Sequence, residues 1–308
     1  MKRLSNYLRL MRPYQWVKNG FVFVPLIFSR NLFDLSLFSE ALLTFAAFCL
    51  AASAVYVVND IADRDFDKLH PLKRERPIAS GDVSVSEGWG LSLLLLAASF
   101  IFLMLDGARV TIGLAIAGYI GINLFYSFRL KRIVLIDLFV IALGFILRIL
   151  AGGYAIDVKV SSWLIMTTLF ISIFLGVAKR RSEFVLVSRD ADESTRKVLS
   201  DYDLSLIDQI LSVSAASVII TYALYTVSER TVQAFHTEAL IFTTVFVTYG
   251  IFRYLYLVHK MGLGENPAKA LLTDKAMVIN TVLYLMSVVA ILYKQELIQL
   301  LSAHVPLP

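Results

Sequence analysis

The sequence predicts an all-α, polytopic membrane protein of nine transmembrane helices, with its long charged loops on the cytoplasmic face. Three observations predict it. Of 308 residues, 58% are hydrophobic and 17% charged, where a soluble domain carries about a quarter charged residues. The apolar residues gather in runs of about twenty, the length that crosses a bilayer as a helix. These runs are continuous rather than alternating, which selects helices over barrel strands, because backbone groups in lipid must bond within their own segment.

In chain order, the first element is a basic lead-in carrying Lys2, Arg3, Arg9, Arg12 and Lys18, with Leu4, Tyr7, Leu8 and Met11 at helical spacing. That pattern suits a helix lying on the membrane surface. A full-length span follows with no small-residue cleavage site, which argues against a removable signal peptide. Spans are then expected at 17–35, 39–58, 88–106, 109–128, 133–153, 160–178, 210–228, 238–257 and 276–294. The first is interrupted by Pro25 and Asn31. Two connections, 59–87 and 179–209, are each about thirty residues, long for compact helical links. Long charged loops on one face point to function.

Orientation follows from Lys and Arg. With the N-terminus inside, 22 of the 29 fall in cytoplasmic segments, 5 lie outside, and Arg148 and Arg253 lie within spans. This bias places the N-terminus and the two long loops in the cytoplasm, at the plasma (inner) membrane. The same placement explains a net charge of +5 without a nucleic-acid partner, since basic residues at span ends meet anionic lipid. One cysteine, Cys49, inside a span, excludes a disulfide framework and a thiolate metal cluster. No low-complexity linker divides the chain, so residues 1–308 read as one domain.

The second span runs into Asn59-Asp60-Ile61-Ala62-Asp63-Arg64-Asp65-Phe66-Asp67. On a continuing helix Asn59, Asp63 and Asp67 share one face. Three oxygen donors in a row suit a hard cation such as Mg²⁺, which completes its shell with water and phosphate oxygens. Asp60 and Asp65 point elsewhere on that helix and rank lower. A merely solvated acidic helix end is the competing reading. It accounts poorly for four aspartates within eight residues at the end of an apolar span. Lys73, Arg74 and Arg76 follow in a Pro-bounded loop. Bases beside a carboxylate cluster make sense when an anion bridges them, because Arg grips phosphate with two donors. Lys131, beside Tyr126, and Lys179 and Arg180, beside Glu183, offer further phosphate contacts at the ends of the fourth and sixth spans, or act only as topology anchors. Arg148 lies mid-span and is expected to face an internal cavity. Asp137 is read equally as a catalytic group or as a structural partner of Lys131 or Arg132.

The pattern Asn59, Asp60, Asp63, Asp67 after the second of nine spans resembles the UbiA superfamily of intramembrane prenyltransferases. The segments RPYQWVKN (12–19), HPLKRERPIASG (70–81), YSFRLK (126–131), FILRILAGG (145–153) and GVAKRRSE (176–183) resemble one branch of it, the decaprenyl-phosphate phosphoribosyltransferases. Aromatic prenyltransferases of the superfamily carry a second Asp-rich motif after the sixth span. Here that place holds Lys179-Arg180-Arg181-Ser182-Glu183, with Asp190, Asp192 and Glu193 further along. Bases in place of acids favour a more anionic donor. The resemblance implies a UbiA-like bundle and a Mg²⁺-dependent transfer of 5-phosphoribose from phosphoribosyl pyrophosphate to a polyprenyl phosphate. The product would feed envelope arabinan precursors. It further implies Mg²⁺ on Asn59, Asp63 and Asp67; phosphate contacts from Lys18, Lys73, Arg74, Arg76, Lys131, Arg148, Lys179 and Arg180; and a sugar oriented by Tyr126 and Glu183. Membrane lipid is the surrounding partner, and a homo-oligomer is compatible with the reading. Prenyl transfer from a prenyl diphosphate to an aromatic acceptor, and transport, are the alternatives.

Overall fold

A computed structural model describes residues 2–69, 73–105, 107, 109–130, 133, 135–189, 203–261 and 273–294. Among them all regular secondary structure is helical, and eight helices are long and apolar enough to cross a membrane. They match the second to ninth expected spans in order. The chain forms two compact units, 1–160 and 161–308.

The first unit begins with α1 (Lys2–Met11). Its expected single apolar face divides in two. Leu10 is buried, and Tyr7 and Met11 pack with it against Ala54, Val57 and Ile78, whereas Leu4 and Leu8 remain exposed. The expected first span takes a different form. Residues Pro13–Phe23 make a 3₁₀ helix, followed by the short α2 (Val24–Ile27), and this stretch is not among the eight span-length helices. Pro13 and Pro25 stand at the first turns of these pieces, where the missing N–H and fixed φ start a helix but cannot continue one.

α3 (Leu35–Ala62) is the central helix of this unit and touches α1, the 3₁₀ helix, α5 (Val85–Leu105), α6 (Val110–Phe128) and α7 (Ile136–Ala155). Asp34 caps its start, accepting from the Ser36 and Leu37 amides at 2.9 and 3.1 Å. Its buried Ala41, Ala47, Ala51, Ala52 and Ala54 let neighbours approach closely. Close approach matters in lipid, where helix association rests on van der Waals packing and interhelical hydrogen bonds rather than on leaving water. Ser99 on α5 donates to the Ala47 carbonyl at 2.9 Å. Between α3 and α5, the short α4 (Arg64–Leu69) leads towards the turn at Lys73–Glu75. Ser84 and Glu87 then form a reciprocal cap on α5, with Ser84 N–H to Glu87 Oε2 at 2.8 Å and Glu87 N–H to Ser84 Oγ at 3.2 Å. Gly152 on α7 sits directly against the Val22 carbonyl, so a Cβ there would collide with main chain.

In the second unit, α8 (Ser162–Arg189) packs along α9 (Leu204–Val227), with the short α10 (Glu229–Phe235) after it. A 3₁₀ turn, Ala239–Thr243, leads into α11 (Thr244–Met261), which packs on α12 (Lys275–Leu292). Arg253, the second expected intramembrane cation, forks onto Asp274 at 3.0 and 2.7 Å. Asp274 also caps α12 through the Met277 amide at 2.9 Å. The Arg253 fork, aided by that amide, holds the Asp274 carboxyl below the usual carboxylate range.

Candidate active site

The polar centre of the first unit is built where α3 ends. The helix ends at Ala62 and Asp63 is its C-cap, yet hydrogen bonds from Asp63 N–H to the Asn59 carbonyl (2.9 Å) and from Asp67 N–H to the Asp63 carbonyl (2.8 Å) carry the helical path into α4. Asn59, Asp63 and Asp67 therefore keep the expected one-face succession.

Asp67 is 4% exposed, and its Oδ2 accepts from Arg76 Nη1 at 2.7 Å. The same Arg76 nitrogen donates to Asp60 Oδ1 at 3.1 Å. Asp60, ranked low on helical geometry, is the more deeply buried of the two at 2% and takes a second bond from Arg12 Nη2. Asp60 and Asp67 lie seven residues apart, two helical turns, so the sequence held this pairing too. Arg76 is held in place by the turn around it. Its own amide bonds the Lys73 carbonyl at 2.9 Å, its carbonyl accepts from Ser80 N–H at 2.8 Å, and Pro77, Ile78 and Ala79 behind it are buried. The Asn59 side-chain oxygen is met by the hydroxyl of Ser127 on α6, which also lies 2.7 Å from the Asn123 carbonyl. Ser127 and Arg12 are additions to the residues expected from sequence. Both lie inside segments already distinguished by their motifs, beside Tyr126 and at the head of RPYQWVKN.

Lys73 and Arg74 are exposed on their turn, Tyr126 is half-buried on α6, and Lys18 is half-buried on the 3₁₀ helix. Lys131 lies outside the described residues, as do His70, Arg132, Asp190, Asp192 and Glu193. Arg148 is enclosed at 4% exposure. Its Nε donates to Asn19 Oδ1 at 2.6 Å and its Nη1 to the Gly144 carbonyl at 2.7 Å, while the guanidinium lies 4.4 Å from the Tyr119 ring centre and within 5.9 Å of Phe48 and Phe145. Aromatic faces and amide oxygens thus offset a charge that would be costly at membrane depth. Asp137 is buried at 2%.

In the second unit, Glu183 draws the two expected bases together on α8, with Arg180 at 2.9 Å and Lys179 at 3.7 Å. Arg181 points differently, bonding Asp208 on α9 at 2.7 Å, and His259 on α11 approaches the same carboxylate at 3.5 Å.

Among the described residues no three His, Cys, Asp or Glu side chains converge as a ready-made metal cage. Mg²⁺ does not require one, since it is held through one or two carboxylates with water and phosphate oxygens. The oxygens of Asn59, Asp63 and Asp67 fit it in kind, whereas Arg76 now lies on Asp67. An arriving phosphate is the species able to share that guanidinium with the carboxylate.

The sequence profile of the UbiA prenyltransferase family matches residues 22–280. A protein of Corynebacterium glutamicum named decaprenyl-phosphate phosphoribosyltransferase is 32% identical over 295 residues, covering 94% of this chain and 87% of its own. One of the same name from Mycolicibacterium smegmatis is 31% identical over 300 residues, covering 94% and 93%. Among solved structures, a UbiA homologue from Archaeoglobus fulgidus bound to GPP and Mg²⁺ superposes with a TM-score of 0.72 at 20% identity, over 94% of this chain and 99% of that one. Fold and sequence agree, and the chain belongs to the UbiA prenyltransferase family.

Proposed function

We propose that this membrane protein transfers 5-phosphoribose from phosphoribosyl pyrophosphate to a polyprenyl phosphate of the decaprenyl type, releasing pyrophosphate, as one domain through which the family match runs without a break. The observation that carries the reading is the similarity to relatives named for that reaction along 94% of the chain. The acid-and-arginine centre supports it, because it supplies what a pyrophosphate leaving group needs. The bond from ribose C1 to pyrophosphate breaks, and an oxygen of the acceptor phosphate takes its place on C1. No proton must move, since the acceptor is already anionic.

Mg²⁺, carried in the solved structure of the Archaeoglobus homologue, would be held by Asn59, Asp63 and Asp67 and would supply charge neutralisation of the leaving group. Arg76, with Lys73 and Arg74 on the same turn, is proposed to bind donor phosphate as charge develops there. Tyr126 is proposed to orient the sugar. Lys179, Arg180 and Glu183 on α8 carry the expectation of further donor contacts, and Lys18, Lys131 and Arg148 that of phosphate binding. The lysine and arginine bias supports a cytoplasmic donor site, with the product passing into envelope arabinan precursors. A long isoprenoid cannot leave the bilayer, which is the physical reason for building this site in a membrane protein.

The test is transfer of label from phosphoribosyl pyrophosphate into butanol-extractable lipid by purified protein and polyprenyl phosphate, with and without Mg²⁺. Mg²⁺-dependent labelling is expected. Failure to label, together with turnover of a prenyl diphosphate onto an aromatic acceptor, would overturn the reading in favour of prenyl transfer.

A further inference from the structure

The first unit contains a cavity of about 410 Å³ between α1 and the Arg76–Pro77 turn, lined by Leu8, Arg9, Arg12, Tyr14, Asp60 and Arg76 among others. We propose that it receives a phosphate monoester, and that this is the head of the polyprenyl phosphate acceptor rather than a phosphate of the donor. The inference rests on the phosphoribosyl-transfer reading for the identity of the lipid, but not for the existence of the anion site.

Charge is the first argument. Arg9, Arg12 and Arg76 face the cavity with one lining carboxylate, Asp60, and since Arg76 is also paired with Asp67 on the donor side, the excess is one positive charge, on the Arg9–Arg12 side. Each arginine is engaged with the described residues through a single terminal nitrogen. Arg9 Nη2 donates to the Glu75 carbonyl at 2.9 Å, Arg12 Nη2 to Asp60, and Arg76 Nη1 to Asp60 and Asp67. A guanidinium has five N–H donors, so most of this set is uncommitted among the described residues. A phosphate monoester, with several acceptor positions, matches that surplus in sign and fills the open donors.

Position distinguishes lipid from soluble phosphate. The outer wall of the cavity is α1, whose Leu4 and Leu8 are 67% and 48% exposed while its other apolar side chains pack on α3. Arg3 is exposed beside them. A helix with an outward leucine ridge and basic flanks sits at the boundary between headgroups and acyl chains. Leu8 belongs both to that ridge and to the cavity lining. A lipid phosphate therefore reaches the arginines without its chain leaving the apolar side. The Asn59–Asp67 face, with its oxygen donors, is the part suited to a metal-bound donor.

The chain between α1 and the 3₁₀ helix keeps the wall in place. Arg12 adopts the left-handed region at φ 53°, which non-glycine residues rarely occupy. This turn brings its guanidinium back to Asp60 and 5.4 Å from the Tyr56 ring centre. Arg12 thus joins the mouth of the cavity to the acidic centre.

The test measures binding without turnover. Wild type, Arg9→Ala and Arg12→Lys, each checked for a cooperative thermal transition in detergent, are titrated with polyprenyl phosphate, the uncharged polyprenol of equal length, phosphoribosyl pyrophosphate and inorganic phosphate. The expected result is a loss of polyprenyl phosphate affinity of about tenfold in both variants, with polyprenol and phosphoribosyl pyrophosphate unchanged. Inorganic phosphate should compete in wild type and less well in the variants. Loss of phosphoribosyl pyrophosphate affinity with lipid binding intact would overturn the proposal by giving the cavity to the donor. Unchanged binding of every probe would overturn it outright, and so would equal competition by phosphatidylglycerol vesicles, which would mean only surface attraction of anionic lipid. Arginine-dependent binding of polyprenyl phosphate in a protein that fails to transfer phosphoribose would leave the site standing and sink the reaction instead.

Discussion

Asp65 and Asp67 stand two residues apart on the same short helix in opposite surroundings. The Asp65 side chain is 86% exposed and pairs loosely with Lys68, whereas that of Asp67 is 5% exposed and bound to Arg76 at 2.7 Å. A count of acids cannot separate them, but helical phase does, and it selects Asp67 with Asn59 and Asp63. Asp67→Asn is therefore expected to lower transfer by about a hundredfold or more while the protein still inserts and elutes as a folded species. Asp65→Asn should leave turnover within about twofold, and the label-transfer assay with size-exclusion chromatography checks both. Arg76 carries a separate stability consequence. Its removal leaves two nearly buried carboxylates, one of them shared with Arg12, short of a counter-charge. Losing one partner of a buried ion pair costs about 3 kcal/mol. Arg76→Ala should thus lower the thermal midpoint in detergent as well as activity, with Arg76→Lys recovering part of the stability but not the two-donor grip on phosphate.

At the scale of elements, the departure from expectation lies in the first apolar run. Hydropathy marks Val17 to Leu35 as apolar enough to span, but the run is interrupted at Pro25 and forms part of a 3₁₀ helix and one short α-helix laid against α3 and α7. The glycine of the FILRILAGG segment makes this contact feasible, because the Val22 carbonyl occupies the space where a Cβ would be. Gly152→Ala is expected to destabilise the first unit by about 2 kcal/mol, since the clash is with main chain and cannot be relieved by a rotamer. The 3₁₀ helix supplies Asn19, which orients the Arg148 guanidinium, so a loss of donor or acceptor affinity should accompany the lower thermal midpoint. Thermal unfolding in detergent, with apparent affinities measured below that midpoint, checks the pair of effects.

For the whole molecule, the testable statement is its orientation. The excess of Lys and Arg in alternate connections predicts that the N-terminus and the 73–76 turn lie on the cytoplasmic side. In a Cys49→Ala background, a single cysteine at Arg74, an exposed position, should react with an impermeant maleimide in inside-out vesicles and be protected in right-side-out vesicles. A cysteine at Gln233, an exposed position in an expected outside connection, should show the reverse. Equal labelling of Arg74→Cys in both preparations would refute the assignment.

The sequence by itself determined the membrane class, eight of the helices and their order, the one-face succession of Asn59, Asp63 and Asp67, and the family, for a physical reason common to all of them. Apolar run length, the 3.6-residue period and local motif spacing are properties of contiguous chain, and lipid enforces them strongly because it leaves the backbone no alternative partner. Only the tertiary structure decided how the charges are shared. That Asp60 outranks its expected standing, that Arg12 and Arg76 converge on it from 48 and 16 residues away, that Ser127 reaches Asn59 across 68, and that Arg148 is satisfied by Asn19 and aromatic faces all depend on contacts between elements. Charge pairs and close backbone approaches are set by distance in space, and sequence separation carries no record of it.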